Sequence, residues 1–179
     1  LEEGELDLMV EQRCQMPGIP DAFGTSDLIG RTNKRSVIDD WKFGVGVPVK
    51  ASYYELTDDG DSMRPNAQLM FYARAAMHSF PGMFDRSNPD WPVDLYIVQP
   101  RGRNAAEDGG ISSITVTVKQ LDEFRDQLVR AVSEATGKNP TTKRGDWCRF
   151  AKCKTICSHW TTPAIDLTKT HGALEKKKT

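Results

Sequence analysis

The sequence predicts a mixed α/β domain in which helices flank a central sheet. Extended runs come first along the chain, followed by a helix, two further strands and a second helix, an order typical of this class. The length of 179 residues suits one core, and 27% charged with 38% hydrophobic residues is typical of a folded domain. No apolar run approaches the roughly 18 residues of a membrane span. Membrane-spanning proteins are therefore excluded, and no membrane partner is expected.

Three extended runs open the chain. Residues 6–13 predict a strand, which the turn-forming residues 17–20 close. Residues 23–30 and 36–43 predict two further strands, and the polar residues 31–35 between them suit the turn of an antiparallel hairpin. The pattern therefore predicts that the second and third strands pair with each other.

The middle of the chain predicts a loop and then a helix. A polar insertion between Val49 and Gln68, with Asp58-Asp59-Gly60-Asp61 inside it, predicts a surface loop, and a flexible gating loop is the alternative. Pro65 suits the first helical turn. Apolar residues at i, i+3, i+4, i+7, i+8 and i+11 predict the buried face of this helix: Leu69, Tyr72, Ala73, Ala76, Met77 and Phe80.

The second half of the chain predicts two strands and a helix. Residues 93–98 and 111–118 are rich in β-branched side chains, which favour strands. A second amphipathic helix follows and ends at Gly137. Its apolar stripe consists of Leu121, Phe124, Leu128, Val129 and Val132.

The net charge of −1 conceals an asymmetry between the two ends of the chain. From residue 138 onward ten Lys/Arg oppose three Asp/Glu, a balance of +7, whereas the first 137 residues carry fourteen against twenty-two, a balance of −8. We predict a core over residues 1–137, a basic cysteine-rich segment packed on it over residues 138–165, and a flexible basic tail over residues 166–179. The basic end favours a polyanionic partner, and the acidic body favours bound cations.

The start of the chain and its cysteines indicate the cellular compartment. The acidic residues 1–5 lack the basic flank and apolar core of a secretory signal, and because residue 1 is Leu the native chain is expected to extend upstream. Three cysteines crowded between residues 148 and 157 are typical of metal or cluster ligation in a reducing compartment. We therefore expect a cytoplasmic protein.

Asp27, Asp40 and Lys42 form the strongest candidate site. Side chains at i and i+2 of a strand share one face, so Asp40 and Lys42 project together, and hairpin pairing would bring Asp27 within reach. Two carboxylates offer the hard oxygen ligands that Mg²⁺ and Mn²⁺ prefer. The lysine could orient or deprotonate water, or neutralise charge on a phosphorus under attack. By spacing alone, a surface ion pair is the alternative.

Gln68 and Tyr72 lie at i and i+4, which places them on one side of the predicted helix. Together they could hold a scissile phosphate or a base edge near a metal ion. Tyr72 also belongs to the apolar stripe, so a core aromatic with a satisfied hydroxyl is the alternative.

These residues form three ordered motifs, and on them the chain resembles the RecB-like nucleases of the P-D-(D/E)-x-K superfamily, which include the CRISPR-associated RecB-like exonucleases. The interval of thirteen residues between the two aspartates is typical of that family. The surrounding sequence is similar to a phage and prophage branch of it. The motifs are Gly24-x-x-Asp27, Asp40-x-Lys42 and Gln68-x-x-x-Tyr72.

The resemblance implies a restriction-endonuclease-like core and Mg²⁺- or Mn²⁺-dependent cleavage of DNA. In such a site Asp27, Asp40 and the backbone carbonyl of Trp41 would bind the metal, Lys42 would be catalytic, and Gln68 and Tyr72 would position the substrate. We expect an exonuclease that acts on single-stranded DNA or free ends in phage replication, recombination or processing. A recombination or replication protein is an expected partner, and the host cytoplasm is the expected location.

Two features depart from the family pattern. Family members carry an acidic residue or histidine on a helix upstream of the first motif, and nothing before Gly24 offers such a helix; Glu11 lies in a strand-like run. If the site is incomplete, the alternative function is an inactive nuclease-fold protein that binds DNA or a recombination partner. Asp39 precedes the second motif by one residue and is predicted to point to the opposite face, so it is left out of the site.

The cysteine-rich segment predicts a second metal site. Cys148, Cys153 and Cys157 resemble the C-terminal module of iron–sulfur members of the group, although the middle cysteine is displaced. A [4Fe–4S] cluster needs a fourth thiolate, for which Cys14 is a weak candidate. His159 makes a Cys₃His zinc site the competing prediction, and three free thiols are the third. A metal here would stabilise the segment and take no part in cleavage, so a small metal-stapled interaction module is a further alternative for the chain.

Overall fold

The computed structural model describes residues 6–57, 60–102 and 109–143 and, further along, residues 145, 148, 151–157, 159 and 161. The chain divides into two compact units, Leu1–Ser133 and Glu134–Thr179. In the described part of the chain, no helix has the length and apolar character needed to cross a membrane.

Seven strands lie in the described part of the first unit. Their bounds are β1 (Asp7–Gln15), β2 (Phe23–Arg31), β3 (Ser36–Trp41), β4 (Ser52–Thr57), β5 (Gly60–Pro65), β6 (Pro92–Val98) and β7 (Ile111–Thr117). Five of them form the central sheet in the order β1-β2-β3-β6-β7. All neighbours pair antiparallel except β3 and β6, which are parallel. The central mixed sheet and the α/β class are therefore confirmed, and the five strands match the predicted runs to within about two residues at most ends.

The polar insertion before the first helix is a second, two-stranded sheet rather than a loop. β4 and β5 pair antiparallel from Ser52 opposite Pro65 to Thr57 opposite Gly60. The prediction of a surface loop was therefore wrong for this segment. Tyr54 and Met63 face each other across the pair and are both exposed, so the hairpin has a solvated surface that leaves little hydrophobic signal.

The first helix, α1 (Ala67–Ser79), lies across the central sheet. It begins two residues later than the sequence predicts because Pro65 ends β5 and Asn66 is the N-cap, with its side chain accepting a hydrogen bond from the Gln68 amide. Its buried residues face β1, β2, β3 and β6. Leu69, Ala73, Ala76 and Met77 of the predicted stripe are buried there. A short 3₁₀ helix, Pro81–Met83, follows.

The second helix, α2 (Val118–Ala135), leaves β7 without a connecting loop. Val118 and Leu121 are buried, and Phe124 and Leu128 pack on the core at the spacing of the predicted stripe. An ion pair joins the two helices, because Nε of Arg74 on α1 lies 2.9 Å from Oδ1 of Asp122 on α2. The core of the first unit therefore lies between α1, α2 and one face of the sheet.

The second unit contains three of the four cysteines. The amide of Cys157 donates to the carbonyl of Cys153, and the amide of Thr161 donates to the carbonyl of Cys157, so the chain turns tightly around these residues. His159 Nε2 is hydrogen bonded to Thr142 Oγ1 at 2.7 Å. Residues 162–179, which include the whole predicted basic tail over residues 166–179, lie outside the described residues.

Candidate functional site

Asp27 and Asp40 occupy adjacent strands at the point where their pairing ends. The ladder between β2 and β3 stops at Leu28 opposite Asp39, which places Asp27 and Asp40 one step beyond it. The backbone no longer pairs there, and Oδ2 of Asp27 instead accepts a hydrogen bond of 2.7 Å from the Trp41 amide. Asp27 and Asp40 therefore lie where β2 and β3 separate, and Asp27 is hydrogen bonded to the backbone of the residue that follows Asp40.

A continuous chain of polar contacts links the second and third motifs. Nζ of Lys42 lies 2.7 Å from Oδ2 of Asp40 and donates to Oε1 of Gln68 at 3.2 Å. The side-chain nitrogen Nε2 of Gln68 donates in turn to the Tyr72 hydroxyl at 2.7 Å. Four residues from two motifs, which lie 26 positions apart at Lys42 and Gln68, thus form one network between the end of β3 and the start of α1.

Two anchors fix the start of α1, where Gln68 lies. Asn66 caps the helix, and its side-chain amide donates to the Lys50 carbonyl at 3.0 Å and to the Tyr53 hydroxyl at 3.3 Å. The amide of Asn66 also donates to the carbonyl of Ala51. The helix start is thereby tied to the chain that enters β4, and the position of Gln68 beside Lys42 follows from this.

Gln99 is a functional candidate that the sequence prediction missed. Its side chain is buried, accepts a hydrogen bond from the Val49 amide at 2.9 Å, and donates to the carbonyls of Gly44 and Val47 at 3.4 Å. The segment that follows Lys42 is therefore held by one side chain from the end of β6. Sequence analysis missed Gln99 because no local pattern predicts a contact between residues fifty positions apart.

Position 24 of the first motif must be glycine because the Tyr72 ring lies against it. A Cβ atom at position 24 would lie 2.7 Å from Cε1 of the Tyr72 ring and 3.3 Å from Cε1 of Phe71. Real Cβ contacts are not this short, so any side chain at this position would push the tyrosine away from the sheet. The glycine therefore allows α1 to approach closely enough for the polar network to form.

We expect Gly24→Ala to lower the free energy of unfolding by about 1–3 kcal/mol, as overpacking of a fitted contact does. The displaced tyrosine would also weaken its hydrogen bond with Gln68. Urea unfolding measures the loss. Gly82→Ala is the matched control, because a Cβ there meets no atom within 4 Å. Equal stability of the two variants would show that the contact with Tyr72 is not tight in solution.

Burial and mutual repulsion set the electrostatics of the carboxylates. Burial raises the pKa of Asp40, the hydrogen bond and charge of Lys42 oppose this, and the charge of Asp27 raises the pKa further. Burial likewise raises the pKa of Asp39 to about 6, against hydrogen bonds from the Trp41 side chain and the Asp40 amide, and both Asp27 and Asp40 add to the rise. Asp39 is thus coupled to the two motif aspartates, although sequence alternation left it out of the site.

The raised pKa of Asp39 predicts a pH dependence of stability. Between about pH 4 and pH 6 the folded protein retains this proton while the unfolded chain has lost it, so the contribution of Asp39 to stability falls as pH rises through that window. Each pK unit corresponds to about 1.4 kcal/mol, and because the group is only half-buried we expect a loss of about 1–2 kcal/mol.

Urea unfolding from about pH 4 to pH 7 in EDTA tests this, since Asp39→Asn should flatten the decline. Asp7→Asn, at an exposed carboxylate on β1, is the control. Identical pH profiles for the wild type and Asp39→Asn would contradict the assignment.

The upstream acidic ligand implied by the family resemblance has no counterpart on a helix within residues 6–23, which contain β1. Glu11 is exposed, and it lies opposite Asp27 at the one position where the ladder of β1 and β2 lacks a pair. Its φ of 51° is a left-handed conformation that is uncommon outside glycine. Among the described residues, no group of three or more His, Cys, Asp or Glu side chains is arranged to hold a metal ion.

The cysteines divide between the two units. Cys14 is fully buried on β1, where burial raises the pKa of its thiol to about 11. Cys148, Cys153 and Cys157 are free thiols of the second unit, and Cys153 is exposed. The iron–sulfur and zinc sites proposed for these three and His159 stay predictions.

The chain has two other histidines, His78 and His171. His78 is exposed in the last turn of α1, as a surface or capping residue would be. His171 lies outside the described residues.

Comparison with known sequences places the chain in a family. No solved structure matches it. Its residues 2–178 match the family described as protein of unknown function, DUF2800. Because this match spans almost the whole sequence, the chain belongs to the DUF2800 family.

Proposed function

We propose that this protein is a divalent-metal-dependent DNA nuclease of the RecB-like type that acts as an exonuclease. One observation carries the proposal: the network of Asp40, Lys42, Gln68 and Tyr72 adjoins Asp27 where the pairing of β2 and β3 ends. A surface ion pair requires only two of these residues. Three separate motifs that meet at one place are better explained by shared chemistry.

The donors at this place fit Mg²⁺ or Mn²⁺. Asp40 is buried, and Asp27 raises its pKa, so a cation between the two carboxylates would relieve their repulsion. Magnesium is commonly held by one or two carboxylates, with water and substrate phosphate as the other ligands. Asp27, Asp40 and the Trp41 carbonyl would hold the ion. When bound, the ion supplies positive charge that polarises the scissile phosphate and makes water more acidic.

The chain's own groups position and stabilise the reacting phosphate. Lys42 is held between Asp40 and Gln68, so its ammonium group is fixed where it can donate to a phosphate oxygen as negative charge develops. The Tyr72 hydroxyl accepts from Gln68 and therefore keeps its own proton to donate to the substrate. No covalent intermediate is required, because water is the nucleophile.

Cleavage of end-labelled DNA tests the proposal. Linear single-stranded, linear double-stranded and closed circular DNA are incubated with Mn²⁺, Mg²⁺ or EDTA, using the wild type and Asp40→Asn. We expect cleavage of linear DNA with either metal, none in EDTA, and none by the variant. Sparing of the circle would identify an exonuclease, and cutting of the circle would make the protein an endonuclease.

DNA binding without cleavage would replace this proposal with the alternative function. In that outcome the wild type binds linear DNA in Mn²⁺ without cleaving it, and Asp40→Asn binds the DNA equally well. The protein would then be an inactive nuclease-fold protein that binds DNA. If the wild type does not bind DNA either, the alternative is an inactive nuclease-fold protein that binds a recombination partner. The same comparison on a chain extended upstream of Leu1 separates an incomplete site from an inactive one.

A further inference from the structure

A pair of exposed aromatic rings flanks Lys42. Trp41 is 42% exposed and Phe43 is 64% exposed. Their ring centroids lie 5.7 Å apart, with 26° between the planes, so the two rings stack on each other. Large apolar side chains exposed side by side favour a binding surface over ordinary surface decoration. We call Trp41 and Phe43 the aromatic platform.

Hydrogen bonds on both sides hold the platform in place. The amide of Trp41 donates to Asp27 at 2.7 Å, and the amide of Lys42 donates to the Val98 carbonyl at 2.8 Å. Beyond Phe43, Gln99 fixes the following segment by the three hydrogen bonds described above. A ligand that stacks on the platform would therefore find it already ordered, which lowers the entropy cost of binding.

The platform and the candidate catalytic group belong to one strand end. Alternation places Trp41 and Phe43 on one face of the strand and Lys42, with Asp40, on the other. β3 ends at Trp41, and the Trp41 amide donates to the proposed metal ligand Asp27 at 2.7 Å, so a ligand that lies over this strand end can reach both faces. The platform therefore adjoins the place where the scissile phosphate would lie.

The charge of the surrounding segment indicates the kind of ligand. Residues 42–50, which follow Trp41, contain Lys42 and Lys50 and no acidic residue, while the acidic Asp39 and Asp40 precede it. A polyanion therefore fits the segment after Trp41 rather than the one before it. Aromatic rings beside basic side chains are the usual means of holding single-stranded nucleic acid, since bases stack on the rings while cations contact the phosphates. A base in a duplex has both faces covered by its neighbours and cannot stack in this way.

We propose that the aromatic platform stacks on an unpaired nucleobase next to the scissile phosphate and thereby selects single-stranded or frayed DNA ends. This inference rests on the proposed nuclease function. It assigns the selection of such ends to the side chains of Trp41 and Phe43, which the family motifs do not include.

The test compares two substrates on alanine variants at three positions. Affinities for a labelled single-stranded oligonucleotide and for a blunt duplex of the same length are measured by anisotropy, with Ca²⁺ in place of Mn²⁺ to limit cleavage, and cleavage rates are measured in Mn²⁺. The variants are Trp41→Ala, Phe43→Ala and Tyr54→Ala. Tyr54 is the matched control, because it is 78% exposed on β4 and outside the platform.

We expect each platform variant to bind the single strand about 5- to 100-fold more weakly, as loss of one stacking contact predicts. Duplex affinity should fall at least fivefold less, and Tyr54→Ala should match the wild type. Trp41→Phe keeps a ring and should recover most of the single-strand affinity, which a loss caused by misfolding would not allow.

Other results overturn the inference. Equal losses for single strand and duplex would mean that the platform does not contact bases. Unchanged single-strand affinity together with a fall in oligomeric mass would make it a protein interface instead. If the wild type cleaves DNA and the platform variants match it on both substrates, the inference about the platform fails and the proposed nuclease function stands. If single-strand affinity depends on the platform but no metal permits cleavage, the proposed nuclease function fails.

Discussion

Replacing Lys42 with methionine should lower the rate of Mn²⁺-dependent DNA cleavage at least about a hundredfold, the loss typical of removing one fixed donor to a transition state. Methionine keeps most of the length of the side chain and removes the ammonium group. The loss follows from geometry, because Asp40 and Gln68 fix the lysine nitrogen within 2.7 Å and 3.2 Å of their oxygens. No other described cation makes these contacts.

The same variant should change the pH at which the metal binds. Lys42 lowers the pKa of Asp40, so its removal leaves burial and the charge of Asp27 to raise that pKa further. A carboxyl with a higher pKa must lose its proton before it can ligate a cation, so Mn²⁺ affinity should fall at low pH and recover as pH rises. This pH dependence of Mn²⁺ affinity is the one expected of a lysine that lowers the pKa of a metal ligand without binding the metal itself.

Cleavage rates and Mn²⁺ affinity measured at about pH 6 and about pH 8.5 separate these two effects. For Lys42→Met we expect affinity close to that of the wild type at the higher pH, while the rate at saturating Mn²⁺ stays low. Lys34→Met, in the turn between β2 and β3, is the control and should behave as the wild type. A Lys42→Met protein that cleaves at the wild-type rate with saturating metal would remove this residue from the mechanism.

The strands that carry the candidate site could be predicted because the polar residues 31–35 separate two extended runs at the spacing of a hairpin. In β3 the buried Ser36, Ile38 and Asp40 alternate with less buried neighbours at the period of two that a strand imposes. The same period places Asp40 and Lys42 on one face, and their side chains are indeed in contact. Local sequence was therefore enough to pair the two residues of the second motif.

Features set by tertiary contact could not be predicted in the same way. The β4–β5 hairpin exposes Tyr53, Tyr54 and Met63, so its strands lack the hydrophobic alternation that identifies a strand. Gln99 acts on a segment about fifty residues earlier through hydrogen bonds that no local pattern encodes. Asp39 was excluded by alternation alone, yet its charge is coupled to Asp27 and Asp40 because the strands separate at this point.

Removing the partner of a buried arginine should have the largest effect on stability. The Arg74 side chain is 5% exposed, and its Nη1 atom is buried with no hydrogen-bond partner among the described residues. Burial and the nearby charges of Arg86 and Arg125 lower the pKa of Arg74, and the charge of Asp122 opposes them. Asp122 therefore supplies the negative charge that lets this guanidinium stay buried between the helices.

We expect Asp122→Ala to lower the free energy of unfolding by about 2–4 kcal/mol. Breaking a buried pair from one side typically costs about 3–5 kcal/mol, and the 45% exposure of the Asp122 side chain reduces that cost because water can partly solvate the site. Asp126→Ala is the matched control. It removes an ion pair with Arg125 in which the carboxylate is 53% exposed, and should cost less than about 1 kcal/mol.

The double variant Arg74→Met/Asp122→Ala distinguishes a charge effect from a packing effect. Methionine fills most of the space of the arginine stem without a charge, so removing both partners should leave the protein more stable than Asp122→Ala alone. Urea unfolding of the four proteins of this cycle measures the coupling. If Asp122→Ala costs no more than Asp126→Ala, or if the double variant is the least stable of the set, then α2 is held to α1 by its apolar stripe, and the buried guanidinium is neutralised by a group other than Asp122.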